Sequence, residues 1–120
     1  MKNQESEGPI PLEWRSVFID IVNSLVCGEY QSLNRINAVR PVSDGIKDQI
    51  RNYIEAYGEQ LIPLPEETWQ SSVCIYMGEH WDVLIDLWTM SEGRSDMVLS
   101  AKVFENDSEY EVDIGMVYVP

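Results

Sequence analysis

The chain has 120 residues, enough for one hydrophobic core and too few for two. A hydrophobic fraction of 44%, with four Trp, six Tyr and two Phe, sets it apart from acidic disordered chains, which lack the aromatics to build a core. A formal net charge of −13 repels phosphate backbones and anionic lipid, so neither nucleic acid nor a membrane is expected as a partner.

The charge is unevenly spread. Residues 1–60 carry a net −3 and residues 61–120 a net −10, so the field belongs to the C-terminal half. Residues 1–9 (MKNQESEGP) show no apolar periodicity and close on Gly8-Pro9, which predicts a disordered tail ahead of a single α+β domain over residues 10–120. That stretch also lacks the apolar core of a secretion signal, so a cytoplasmic location is expected.

From Pro11 the positions Trp14, Val17, Phe18, Ile21 and Leu25 recur at helical spacing, and Gly28 can stop the turn, predicting a helix over 11–27. Residues 29–42 close on Arg40-Pro41 and read as a turn or loop. Ser43 and Asp44 can cap a second helix over 43–57, with Ile46, Ile50, Tyr53, Ile54 and Tyr57 on one stripe and Gly58 at its end. Pro63 and Pro65 then interrupt the chain, and Pro65 to Trp69 reads as a short helical turn.

After Trp69 the apolar period falls from 3.6 to 2. Val73, Ile75 and Met77 alternate, then Trp81, Val83, Ile85, Leu87 and Thr89, then Met97, Leu99, Ala101 and Val103, and last Tyr110, Val112, Ile114, Met116 and Tyr118. Polar turns at Gly78-Glu79, Ser91 to Ser95 and Glu105 to Ser108 separate these runs. Short turns between sequential strands favour hairpins, so the expected fold is α+β: two N-terminal helices packed on a four-stranded antiparallel meander sheet. Cys27 and Cys74 each lie in an apolar run and predict two buried, unpaired thiols.

The residue inventory argues against catalysis. A nucleophile–base pair needs an imidazole, and the single histidine, His80, falls at a turn where it reads as an exposed surface residue. Two cysteines 47 positions apart and one histidine do not make a zinc site, and no glycine pattern cradles a phosphate. No metal and no cofactor are expected. Asp82 and Asp86 share a strand face about 13 Å apart, beyond the ~5–9.5 Å of a glycosidase carboxylate pair.

If Trp81, Val83, Ile85 and Leu87 face the core, then Asp82, Leu84, Asp86 and Trp88 face away, and the last strand turns Glu111, Asp113, Gly115 and Val117 outward. Acids beside a large aromatic suit a protein interface, because Trp is enriched among the anchors that carry binding energy. The expected partner-binding residues are therefore Asp82, Asp86, Trp88, Glu111 and Asp113. A plainer alternative is that a loop or the tail covers Trp88.

The run Trp81-Asp82-Val83-Leu84-Ile85-Asp86-Leu87-Trp88-Thr89, followed by Glu92-Gly93-Arg94-Ser95-Asp96-Met97, resembles the W-x-V-L-V-D-L-W-T and E-G-R-S-D-L signature of a family of small bacterial proteins with no established activity. The resemblance spans roughly residues 12 to 119, with Met97 in place of the usual Leu, a volume-conserving change. It assigns no catalytic role. Physically, Arg94 between Glu92 and Asp96 is expected to tie down the loop by charge-assisted hydrogen bonds.

The overall profile is also similar to immunity proteins of contact-dependent inhibition and other polymorphic toxin systems, which are small, often acidic, and neutralise a toxin domain. That similarity implies a cytosolic protein that binds a basic, nuclease-type toxin domain through its acidic surface. The alternatives are a protein-interaction or regulatory domain without a toxin and, further off, a small hydrolase or ligand-binding domain.

Overall fold

The computed structural model describes residues 7–120. Strand β1 (Glu7–Pro9) precedes helix α1 (Leu12–Cys27), a 3-10 turn (Tyr30–Arg35) and helix α2 (Asp44–Tyr57). Strand β2 (Leu61–Ile62) and a second 3-10 turn (Glu66–Gln70) lead into β3 (Val73–Tyr76), β4 (Trp81–Thr89), β5 (Gly93–Asn106) and β6 (Glu109–Tyr118). The fold is α+β, helices first and the main strands after.

The sheet is larger than a four-stranded meander. β3 to β6 do form sequential antiparallel hairpins, but the order is β1-β3-β4-β5-β6, with β2 also paired to β4. β1 corrects the expectation of a tail: Glu7, Gly8 and Pro9 pair antiparallel with Ile75, Cys74 and Val73, and the Cys74 thiol donates to the Pro9 carbonyl at 3.4 Å. A three-residue strand carries too little periodicity to be read from sequence, and its stability comes from the strand beside it and from Ile10, which is 1% exposed. The rest of the expected tail, residues 1–6, lies outside the described residues.

Both long helices follow the predicted spans. Trp14, Phe18, Ile21, Val22 and Leu25 of α1 sink into one core with Val83, Ile85, Leu87, Leu99, Val103, Val112 and Ile114 of the sheet. Each such side chain contributes about 1.5–3 kcal/mol when fully buried, which is what fixes the helix on this face. Trp14 meets Trp81 edge-on at 5.9 Å. In α2 the Ser43 hydroxyl accepts from the Ile46 N–H at 3.2 Å, as the cap predicted. Gly28 and Gly58 end the two helices at φ 72 and 83, the left-handed conformation that costs glycine little.

Helix α2 packs along β6. Only Ile50 of its stripe is fully buried, and the helix closes the side of the sheet through hydrogen bonds to β6. The segment 29–42 is more ordered than a loop, since its 3-10 turn buries Tyr30 and Leu33.

Cys74 is buried, Cys27 is exposed, and neither is in a disulfide. The expectation of two buried thiols therefore fails at Cys27. The helical phase explains it: two residues beyond Leu25, at 100° per residue, Cys27 has rotated about 200° off the core stripe.

A second correction concerns β6. Leu99 pairs with Val117 and Ala101 with Ile114, so two residues, Gly115 and Met116, stand opposite Ser100. This bulge inverts the pleat, so Val117 is fully buried and Met116 is 42% exposed, the reverse of strict alternation. β4 and β5 are also irregular between Asp86 and Trp88, where Leu87 faces the segment Ser95 to Met97. There Ser95 donates to the Leu87 carbonyl at 2.8 Å and accepts from the Met97 N–H.

Candidate partner-binding face

With α1 on one face of the sheet, the opposite face of β3 to β6 carries the side chains that the core does not use. Cross-strand register puts them in rows. Asp82, Lys102 and Asp113 stand side by side across β4, β5 and β6, with Ile75 of β3 next to Asp82. One row further, Val73, Leu84 and Ser100 meet the bulge of β6. Asp86 pairs with Val98, which pairs with Tyr118.

A shallow depression of about 520 Å³ opens on this face. Ile75, Leu84, Tyr118 and Ile46 of α2 supply its apolar wall, Asp82, Lys102 and Asp113 its polar rim. Gly115 also lines it, and no other residue fits that position: a Cβ there would lie 2.7 Å from Ser100 Oγ and 3.0 Å from the Ser100 carbonyl oxygen. Ser100 Oγ instead accepts from the Met116 N–H at 3.1 Å and donates to the Met116 carbonyl at 3.3 Å, locking the bulge.

The five sequence-predicted partner residues do not form one cluster. Asp82 and Asp113 share the depression, separated by Lys102, at about 10 Å by the spacing of two strand intervals. No ion pair joins Lys102 to either. Asp82 Oδ1 instead stands 3.0 Å from His80 Nε2, within hydrogen-bond distance. His80 is thus not a free surface side chain; its side chain is 21% exposed and it lies 5.3 Å from the Phe104 ring.

Asp86 is tied up within the fold. Its carboxylate accepts from Ser71 Oγ, its N–H donates to Ser72 Oγ at 3.0 Å, and its carbonyl accepts from Thr68 Oγ1 at 2.9 Å. Trp88 is half-buried: its ring lies against Gly93, and a cleft beside it is lined by Glu67, Gln70, Ser71 and Arg94. The 3-10 turn before β3 therefore occupies part of the surface that alternation alone leaves open. The Trp88 indole N–H is buried without a hydrogen-bond partner. Glu111 sits at the opposite end, 61% exposed and paired with Arg40 at 2.8 Å, while the Arg40 guanidinium stacks 4.1 Å over Phe104.

The loop after β4 is held differently from the expected Glu92–Arg94–Asp96 network. Glu92 accepts from the Tyr57 hydroxyl at 3.0 Å and from Thr89 Oγ1 at 2.9 Å, and the Asp96 N–H donates to Tyr57 at 3.3 Å. Among the described residues Arg94 enters no ion pair. Tyr57 of α2, read from the sequence as a core position, is the tie that local charge spacing does not reveal.

Among the described residues no three His, Cys, Asp or Glu side chains gather to hold a metal ion, and no helix is long and apolar enough to cross a membrane.

A family model described as a domain of unknown function matches residues 22–120, which include α2, β2 to β6 and the whole depression. The chain belongs to that family, DUF7668. No curated protein and no solved structure matches the chain. Within this DUF7668 chain, β1 and all but the end of α1 precede the matched span, so every residue of the open face named above from Ile46 onward falls inside it.

Proposed function

We propose that this DUF7668 chain is a binding domain without catalytic activity, that the open face of its sheet docks on a basic protein surface, and that it serves in the cytoplasm as an immunity protein against a toxin domain. The observation that carries the reading is the depression between Asp82 and Asp113: an open, largely apolar hollow flanked by Ile46 of α2 and rimmed by carboxylates in the half of the chain with net charge −10. Apolar surface of this kind stabilises a complex by leaving water, and surrounding charge of one sign speeds encounter with a partner of the other.

The immunity role rests on the small acidic profile and is tested directly. The protein is co-expressed with the polypeptide encoded beside it in its genome, and growth, complex formation and the neighbour's enzymatic activity are followed. The reading expects a toxic neighbour, rescue of growth by this chain, and a stable complex. A neighbour that is harmless alone, or one whose toxicity is unaffected by this chain, removes the immunity role.

A further inference from the structure

The depression is specific enough in shape and charge to describe what enters it. The hollow is lined by Gly115 of the bulge, its apolar wall is Ile46, Ile75, Leu84 and Tyr118, and the row Asp82, Lys102, Asp113 borders one side. An apolar side chain seated there removes these walls from water, at about 25 cal/mol per Å² buried. A single cation seated at its centre is disfavoured, because Lys102 stands between the carboxylates without pairing to either. The attractive positions for cations are therefore the outer flanks, about 10 Å apart, one at Asp113 and one at Asp82, whose Oδ1 meets His80 Nε2 at 3.0 Å and whose Oδ2 is left to accept from an incoming cation.

Extended backbone meets this demand. Residues i, i+2 and i+4 of a strand point to one side and span about 13 Å, a distance that flexible arginine or lysine side chains shorten to reach both carboxylates. We infer that the depression receives an extended segment of a basic protein in which an apolar or aromatic side chain is flanked, two residues away on each side, by arginine or lysine held by Asp82 and Asp113. This inference rests on the docking role of the open face and adds the identity of the element that docks.

The test uses the full chain, isotope-labelled for amide NMR, titrated with capped peptides. The probes are Arg-Ser-Trp-Ser-Arg, Arg-Ser-Ala-Ser-Arg and Glu-Ser-Trp-Ser-Glu. The first is expected to bind saturably and shift the amides of Ser100, Lys102 and Gly115. Loss of the Trp, or the double change Asp82→Asn with Asp113→Asn, is expected to weaken it by about tenfold or more, the scale of losing one anchor. Leu84→Lys, which puts a cation into the hollow, is expected to abolish it in a variant whose spectrum shows it folded. Equal binding of the acidic peptide, shifts centred elsewhere, or unchanged binding by Leu84→Lys overturns the inference. If the genomic neighbour still forms a complex with Leu84→Lys, docking survives and only this mode of recognition falls.

Discussion

Gln49 completes the sheet at β6 in place of a further strand: its side-chain amide donates to the Val117 carbonyl at 2.9 Å and accepts from the Val117 N–H at 3.2 Å. Further along the same edge, the Val112 N–H donates to Ala38 at 2.7 Å and the Val112 carbonyl accepts from Arg40 at 2.8 Å. Unpaired strand edges recruit other strands, so these bonds also guard against aggregation. Gln49→Ala is expected to cost about 1–3 kcal/mol, two hydrogen bonds at about 0.5–1.5 each. Thermal melting measures the loss, and hydrogen exchange should quicken at Val117 before it does at buried Leu99. Unchanged exchange at Val117 would show the edge protected by other means.

Much of this fold is legible in the chain because period and caps speak for long elements. Trp14 to Leu25 and Ser43 to Gly58 mark their helices, and the alternation from Val83 to Leu87 marks a strand buried on one side. What sequence hides is what depends on a partner strand. β1 is too short to show a period, and the bulge at Gly115 is visible only once Ser100 stands opposite. The candidate face suffered most from this. Alternation placed Asp82 and Asp113 on it, but it could not foresee Ser71 occupying Asp86, or Arg40 occupying Glu111, contacts between residues far apart in the chain.

The close approach at the bulge sets a second expectation. Gly115→Ala forces a methyl group against Ser100 Oγ and its backbone carbonyl, and the backbone cannot yield as a side chain can. A loss of about 1–3 kcal/mol is expected, the cost of overpacking. Ser100→Ala removes the nearer atom and both hydrogen bonds to Met116, so the double variant should be less destabilised than the sum of the single ones. Additive losses in denaturant titrations would mean the two positions do not share this strain.

The two thiols should separate by reactivity. Cys27 is exposed on the last turn of α1, whereas burial, with the charge of Glu105 adding to it, pushes the Cys74 thiol up from its ordinary 9.0 and leaves less thiolate. A thiol-specific reagent near neutral pH is expected to modify one site in the native protein and two after denaturation. Peptide mapping identifies Cys27 as the fast site. Equal rates at both would contradict the burial of Cys74.

Alkaline pH should weaken the fold. Burial raises Cys74, Tyr30 and Tyr110; Arg51 opposes and Glu55 reinforces the shift at Tyr30, and Glu13 reinforces it at Tyr110. A group raised in the folded state holds its proton more tightly there than in the unfolded chain. These groups therefore contribute no pH dependence below their unfolded values, and stability falls as pH rises past 9.0 for the thiol and 10.0 for the phenols. Melting temperatures from pH 7 upward should be flat with respect to these groups and then decline. Cys74→Ala should remove the earliest part of that decline.

The open face makes a prediction about rates once a basic partner is in hand. Charges at the rim of an interface act mainly on encounter, so Asp82→Lys and Asp113→Lys should each slow association while changing dissociation less. Association should also slow with salt, as the Debye length contracts from about 10 Å at 0.1 M to about 3 Å at 1 M. Asp86 is a poor position for this experiment, because its carboxylate holds Ser71 and its reversal would disturb the turn before β3. Asp44, 91% exposed on α2 and in the half of the chain with net charge −3, is the control. Trp88→Ala should act through the fold, since that ring rests on Gly93 and its indole N–H is enclosed, so its effect should appear in melting temperature before it appears in binding. Stopped-flow association across a salt series decides among these. Equal slowing by Asp44→Lys would mean that the whole field steers the partner and that the depression has no special place in it; no dependence on salt would place the interface away from the acidic sheet.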